Sequence, residues 1–188
     1  MKGEILLEGI KKSFGDFCLE VDHLSITENI VISGHNGSGK STLLKILAGF
    51  ISPDIGSVKD LDSILFNNDD IGFFHHLTGL ENLQFFNVDQ NSLLFRKFLD
   101  ELPVFRAALD IRYEEMSHGM AKVIVLFLVL AQEREVYLLD EPLSGLDEKT
   151  RSFLIREFEG QQDKIFVIAE HIANIGFEMI ELSKGRVC

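Results

Sequence analysis

Gly34, Gly39, Lys40 and Ser41 stand at the spacing of a phosphate-binding P-loop, within the run Gly34-His35-Asn36-Gly37-Ser38-Gly39-Lys40-Ser41-Thr42. A triphosphate carries several negative charges that must be met at short range, and each residue type here answers part of that need. Gly34, Gly37 and Gly39 allow backbone angles denied to residues with a β-carbon, so successive N–H groups can curl around an anion. A helix starting near Gly39 adds its positive end. Lys40 would reach the β- and γ-phosphates as a point charge, and the Ser41 hydroxyl would take one coordination position on Mg²⁺. A glycine-rich turn that binds nothing is the plainer alternative. It does not require the apolar strand Ile30-Val31-Ile32 before the loop, or Leu43, Leu44, Ile46 and Leu47 at helical spacing after it.

A second group of chemical residues lies at the ends of later apolar runs. Val136-Tyr137-Leu138-Leu139 leads straight into Asp140-Glu141, the pattern of a buried strand that carries carboxylates to the sheet edge where phosphates sit. Asp140 then serves Mg²⁺ directly or through water, and Glu141 polarises the attacking water. Adjacent acids at a strand end are often merely solvated, but a P-loop in the same chain favours the catalytic reading. Ile165-Phe166-Val167-Ile168-Ala169 forms another such run and ends at Glu170-His171, where His171 could donate to the γ-phosphate or simply cap the strand. His75 and His76 are neighbours in sequence with no further ligands nearby, a poor arrangement for one metal ion.

The elements that must position these groups can be read from periodicity. Alternation in GEILLEGI and FCLEVDHLSI predicts antiparallel strands turning at Ser13-Phe14-Gly15-Asp16. Ile64-Leu65-Phe66 is a further short strand ended by Asn67-Asn68-Asp69-Asp70. Helical spacing then dominates from Gly79 to Leu109, with Pro103 dividing two pieces. Ala121–Gln132 is apolar enough for a buried helix, and Phe153, Leu154 and Phe158 fall on one side of another. The final Glu178–Val187 reads as a hairpin turning at Lys184-Gly185. The expected class is α/β: a P-loop NTPase core over residues 1–68 and 121–188, with an N-terminal antiparallel β subdomain, and an inserted helical subdomain over 69–120.

Composition narrows the field. A chain of 188 residues suits one domain carrying a subdomain. The net charge of −12 argues against general affinity for nucleic acid, and none is expected as a partner. Val123–Ala131, the longest apolar run, is far short of the roughly 20 residues needed to cross a bilayer. The start MKGEILLEGI does not read as a signal peptide. Two cysteines, Cys18 and Cys188, provide no disulfide framework and fit a reducing compartment.

Taken together, GHNGSGKST, YLLDEP, the following LSGLD and the strand-terminal Glu170-His171 resemble the ATP-binding cassette (ABC) ATPases in order and spacing over nearly the whole chain. Thr78-Gly79-Leu80-Glu81-Asn82 is similar to that family's entry into its helical subdomain. Met116-Ser117-His118-Gly119-Met120 falls where the family carries its signature, LSGGQ. The resemblance implies ATP as ligand, Mg²⁺ as cofactor, and a head-to-tail dimer in which each ATP lies between one subunit's P-loop and the other's signature. It implies that Phe14 stacks on adenine, that Ser117 and Gly119 meet phosphate across the dimer, and that Ser144–Asp147 communicate across it. The family's glutamine after the strand preceding the helical subdomain is matched only by Asn67, Asn68 or Asp69; Asn68 is favoured as the Mg²⁺ or water contact. His118 replaces a signature glycine and Met120 its glutamine.

The function implied is an ATP-hydrolysing subunit that powers a separate transmembrane permease from the cytoplasmic side of a membrane, paired as a homodimer or heterodimer. The alternative is a soluble ABC ATPase acting on ribosomes or DNA. Such proteins usually carry paired cassettes or long coiled-coil insertions, which do not fit this length.

Overall fold

Buried residues at near-alternating positions, Ile5, Leu7 and Ile10, then Leu19, Val21, Leu24 and Ile26, build two long strands, β1 (Ile5–Phe14) and β2 (Phe17–Ile26), paired antiparallel. The computed structural model describes residues 4–59, 63–67, 72–161, 163–171 and 175–187. The other strands are β3 (Ile30–Ser33), β4 (Ile55–Val58), β5 (Ile64–Asn67), β6 (Val136–Asp140), β7 (Ile165–Ala169), β8 (Glu178–Ser183) and β9 (Arg186–Val187). The helices are α1 (Lys40–Leu47), α2 (Gly79–Phe85), α3 (Leu93–Glu101), α4 (Pro103–Ala108), α5 (His118–Ala131) and α6 (Glu148–Glu159).

The strands follow the order β4-β1-β2-β9-β8-β3-β7-β6-β5. The N-terminal antiparallel strands are therefore continuous with the parallel ones, through the β8–β9 hairpin. Strands β6 and β7 are buried almost throughout, as parallel strands covered on both faces must be, which explains why both read as unbroken apolar runs. Register then decides the chemistry. Ile32 of β3 and Asp140 of β6 both pair with Ala169 of β7, so three strands end side by side. The P-loop, Glu170-His171 and Glu141 leave from that one edge.

The chain divides into two compact units: Met1–Asn68, Arg134–Pro142 and Glu157–Cys188 form the first, and Asp69–Glu133 with Leu143–Arg156 the second. This division differs from the expected return to the core at Ala121. Helix α5 belongs to the helical unit because its buried side chains pack there: Phe127 lies against Phe95, Phe98 and Phe105, with ring centroids 4.9–5.5 Å apart. An apolar helix looks the same in sequence whether it faces a sheet or other helices.

In the first unit the core gathers β1–β3, β6, β7 and α1, including Ile30, Ile32, Leu43, Leu44, Leu138 and Val167. In the second unit Phe98, fully buried, has its ring 5.1 Å from Phe105 and 4.9 Å from both Phe127 and Phe153. Removing so large a side chain leaves a cavity that four helices would have to close. Phe98→Ala is expected to cost about 3–5 kcal/mol, read as a lower denaturant midpoint; a shift below about 1 kcal/mol would show that Phe98 is not the keystone of this unit.

Candidate functional site

The loop between β3 and α1 is shaped by what it cannot accommodate. A β-carbon at Gly34 would run into the Leu182 carbonyl and stand 2.6 Å from the Ser38 hydroxyl. At Gly39, φ is 110° and a β-carbon would lie 2.9 Å from the Phe17 ring. Gly39 is also the N-cap of α1 and brings no side-chain acceptor, so the helix opens with N–H groups facing a ligand space rather than a capping oxygen. Ser38 N–H donates to His35 O at 3.1 Å, and Gly185 N–H to Ser38 O at 3.0 Å, which fixes the loop to the β8–β9 turn.

Lys40 is 6% exposed. Its Nζ donates to Gly34 O at 2.8 Å and His35 O at 3.3 Å, which holds the ammonium inside the curve of the loop. A cleft of about 570 Å³ opens over these residues, lined by Phe14, Asn36, Gly37, Gly39, Lys40, Ser41, Thr42 and Glu141. Of the expected site residues, the structure thus gathers the aromatic of the β1–β2 turn, most of the P-loop and the strand-end glutamate around one space. Gly34, His35 and Ser38 shape the loop beneath it.

Phe14 is 46% exposed, with one ring face 5.6 Å from the Lys12 ammonium. Lys12 is held in turn by Asp54 at 2.7 Å, and Asp54 also accepts from Ser13 N–H at 2.9 Å. Those two bonds, led by the one from Lys12, keep the Asp54 carboxyl below its ordinary pKa. Phe17, Lys45 and Ile51 complete the lining, and sequence reasoning missed all three. A signal was available for two of them: Phe17 faces Phe14 across the hairpin, and Lys45 lies one helical turn beyond Ser41.

Asp140 Oδ1 and Ser38 Oγ are buried and have no hydrogen-bond partner among the described residues. A buried carboxylate oxygen left over beside a phosphate loop suits a hard divalent cation, which takes oxygen ligands. Ser41 and Asp140 therefore fit Mg²⁺. Asn68, the third expected ligand, lies outside the described residues; its neighbour Asn67 is 5% exposed at the end of β5.

Glu141 adopts φ 47°, an uncommon angle for a residue with a side chain. Its N–H donates to Ala169 O at 2.9 Å, and its Oε1 lies 3.1 Å from His171 Nε2. The two residues expected to act on water and γ-phosphate are thus in contact.

Ser117 and Gly119 belong to the helical unit. Ser117 is the N-cap of α5, its hydroxyl accepting from Met120 N–H at 3.3 Å. Open space surrounds Gly119. The His118 ring lies beside Gly145, within 4 Å of where a β-carbon would stand, and Lys122, 5% exposed, donates to Ser144 O at 3.1 Å and Ser144 Oγ at 2.8 Å. Asp147 accepts from Thr150 N–H at 3.0 Å and from its hydroxyl at 2.7 Å, bonds that hold its carboxyl below the usual range. The Ser144–Asp147 segment is accordingly fixed to α5 at one end and to α6 at the other. Thr78 caps α2 in a reciprocal box with Glu81, which explains the Thr78–Asn82 pattern.

Residues 23–144 match the family model described as ABC transporter. The "Probable sulfate/thiosulfate import ATP-binding protein" of Chlorella vulgaris is 34% identical over 202 residues, an alignment covering 97% of this chain and 86% of that one. The xylose/arabinose import ATP-binding protein of Haloferax volcanii is 29% identical over 197 residues, 92% of this chain, which spans about half (50%) of that relative. Among solved structures, an RNase-L inhibitor superposes with a TM-score of 0.82 at 27% identity, covering 97% of this chain and 38% of its own. A dimeric, post-hydrolysis ATP-binding cassette bound to ADP and Pi shares the fold, with a TM-score of 0.75 at 24% identity and 97% and 96% coverage.

Proposed function

We propose, since this chain belongs to the ABC transporter family, that it is an ATP-binding and ATP-hydrolysing subunit that powers transport through a separate transmembrane partner. The observation that carries this reading is the single cleft in which Phe14, the P-loop residues and Glu141 meet. Lys40 and the N–H groups at the start of α1 bind the β- and γ-phosphates, and Phe14 offers the face of its ring to adenine. Glu141 orients and deprotonates the attacking water, while His171, donating from Nε2, keeps that carboxylate in place. Mg²⁺, when held by Ser41 and Asp140, supplies neutralisation of the phosphate charge. The water oxygen bonds to the γ-phosphorus as that phosphorus parts from the bridging oxygen of ADP; ADP and phosphate leave, and the proton taken by Glu141 passes to solvent.

Among the described residues no helix is long and apolar enough to cross a membrane, which is consistent with a subunit whose membrane path lies on another chain. The names of the relatives favour import. A soluble ABC ATPase acting on ribosomes remains the second reading, because a ribosome recycling factor in complex with a stalk protein superposes with a TM-score of 0.83 at 26% identity. This chain covers only 38% of that one, and its charge of −12 opposes an RNA surface. Fractionation separates the two. The transporter reading expects the native chain in detergent-solubilised membranes with a polytopic partner; co-sedimentation with ribosomes in place of membranes would overturn it.

The altered signature bears on which dimer forms. If a second, different subunit supplies an intact signature, this chain alone hydrolyses ATP feebly, because His118 stands where backbone would approach phosphate. Restoring both positions by His118→Gly with Met120→Gln is then expected to raise the activity of the purified chain on the order of tenfold or more. Robust, cooperative activity from the unmodified chain would instead assign it to a homodimer.

A further inference from the structure

β7 is buried along its whole length, and the residue that follows it is a carboxylate. Glu170 is 3% exposed. A carboxylate so deep is costly unless its bonds recover the loss of hydration, and an apolar side chain would suit this position at the end of an apolar strand better. The bonds it makes explain what a carboxylate contributes. Glu170 N–H donates to Ile32 O at 3.1 Å, tying the end of β7 to the strand that feeds the P-loop. Its side chain then bends forward, and Oε1 accepts the backbone N–H of His171 at 3.0 Å. His171 Nε2 meets Glu141 Oε1 at 3.1 Å, and Glu141 N–H returns to Ala169 O at 2.9 Å. Ala169, Glu170, His171 and Glu141 thus form a closed ring of covalent and hydrogen bonds.

We propose that Glu170 is a positioning residue for hydrolysis: its buried carboxylate fixes the backbone of His171 so that the imidazole stays on Glu141. The inference rests on the functional reading above. His171 leaves the sheet at this point with its side chain 36% exposed, free to exchange rotamers unless its backbone is held. Glu141 needs such support as well, since a residue with a β-carbon persists at φ 47° only where its surroundings hold it. A carboxylate accepting an N–H makes a stronger bond than a neutral acceptor and fixes direction as well as distance. The consequence falls on turnover rather than on ATP affinity, because the ring touches the water-orienting side of the site and not the lysine or the helix start. Misplacement of a reacting group by about 1 Å can cost about a hundredfold in rate.

Two replacements separate positioning from mere packing. Glu170→Met fills the same space without an acceptor, and removing a buried charge in this way is often neutral or stabilising. Glu170→Gln keeps an acceptor oxygen. Single-turnover hydrolysis of radiolabelled ATP by the full chain, with the dissociation constant measured alongside, is expected to show Glu170→Met slowed about tenfold or more, with ATP affinity within about twofold of wild type. Glu170→Gln is expected to retain most of the rate. Adding Glu170→Met to His171→Ala should slow the reaction no further, since both act through one contact. A wild-type rate for Glu170→Met, an equal loss in Glu170→Gln, or full additivity with His171→Ala would overturn the proposal. Impaired His171→Ala beside fully active Glu170→Met removes only this inference. Wild-type activity in His171→Ala removes the inference together with the role assigned to His171, whereas an unmodified chain that does not bind ATP removes the functional reading as well.

Discussion

Lys40→Ala is expected to abolish most of the thermal stabilisation that ATP confers. At a free ATP concentration a hundred times the dissociation constant, a ligand that binds only the folded chain stabilises it by about 2.7 kcal/mol. Lys40 is the buried cation of the cleft, and its ammonium is anchored on the Gly34 and His35 carbonyls where the loop curls. Alanine removes that charge from the place where several phosphate charges must be met. Because Lys40 also makes two bonds to the loop itself, the variant without nucleotide should be compared with the wild type without nucleotide. The increment produced by ATP is the quantity that decides. An increment unchanged from wild type would mean that ATP binds elsewhere or not at all through this loop.

Glu141→Gln is expected to bind ATP with near wild-type affinity and to lose turnover by about 10²–10⁴-fold, the usual worth of a positioned general base. The amide keeps the shape of the side chain and can still meet His171 Nε2, so the 3.1 Å contact survives in some form while the ability to accept a proton does not. In the proposed function, binding depends on Lys40, the helix start and the ring of Phe14, none of which is altered. Measurement of ATP affinity and single-turnover rate on one preparation separates the two roles. Wild-type turnover in this variant would show that another group orients the water.

Much of this site is legible in the sequence because its signals are local. The P-loop spacing, the apolar run into Asp140-Glu141 and the run into His171 each lie within about ten residues, and strand periodicity alone says that they end at a sheet edge. That they end at the same edge is not local. It depends on β3 and β6 both pairing with Ala169, from segments far apart in the chain. For the same reason Glu170 passes as an ordinary strand-end acid until its burial is seen, and Lys122 passes as a surface lysine on α5 until it is found on Ser144. The expected boundary at Ala121 differs from the division into compact units because apolarity reports burial without naming the partner; phenylalanines from α3 and α4 receive α5. The left-handed angle of Glu141 has no sequence signal at all, since glutamate is not a residue that favours it.

The central claim is that phosphates seat in the loop between β3 and α1. Backbone N–H groups that donate to a bound triphosphate exchange with solvent more slowly than the same groups facing water. Hydrogen-exchange mass spectrometry with and without saturating Mg²⁺ and ATP should therefore show protection concentrated in the peptide holding Gly34–Thr42, with a smaller effect around Asp140 and Glu141. In Lys40→Ala that protection should vanish. Saturable ATP binding by the wild-type chain with no change in exchange across residues 34–42 would place the nucleotide outside this cleft and contradict the account.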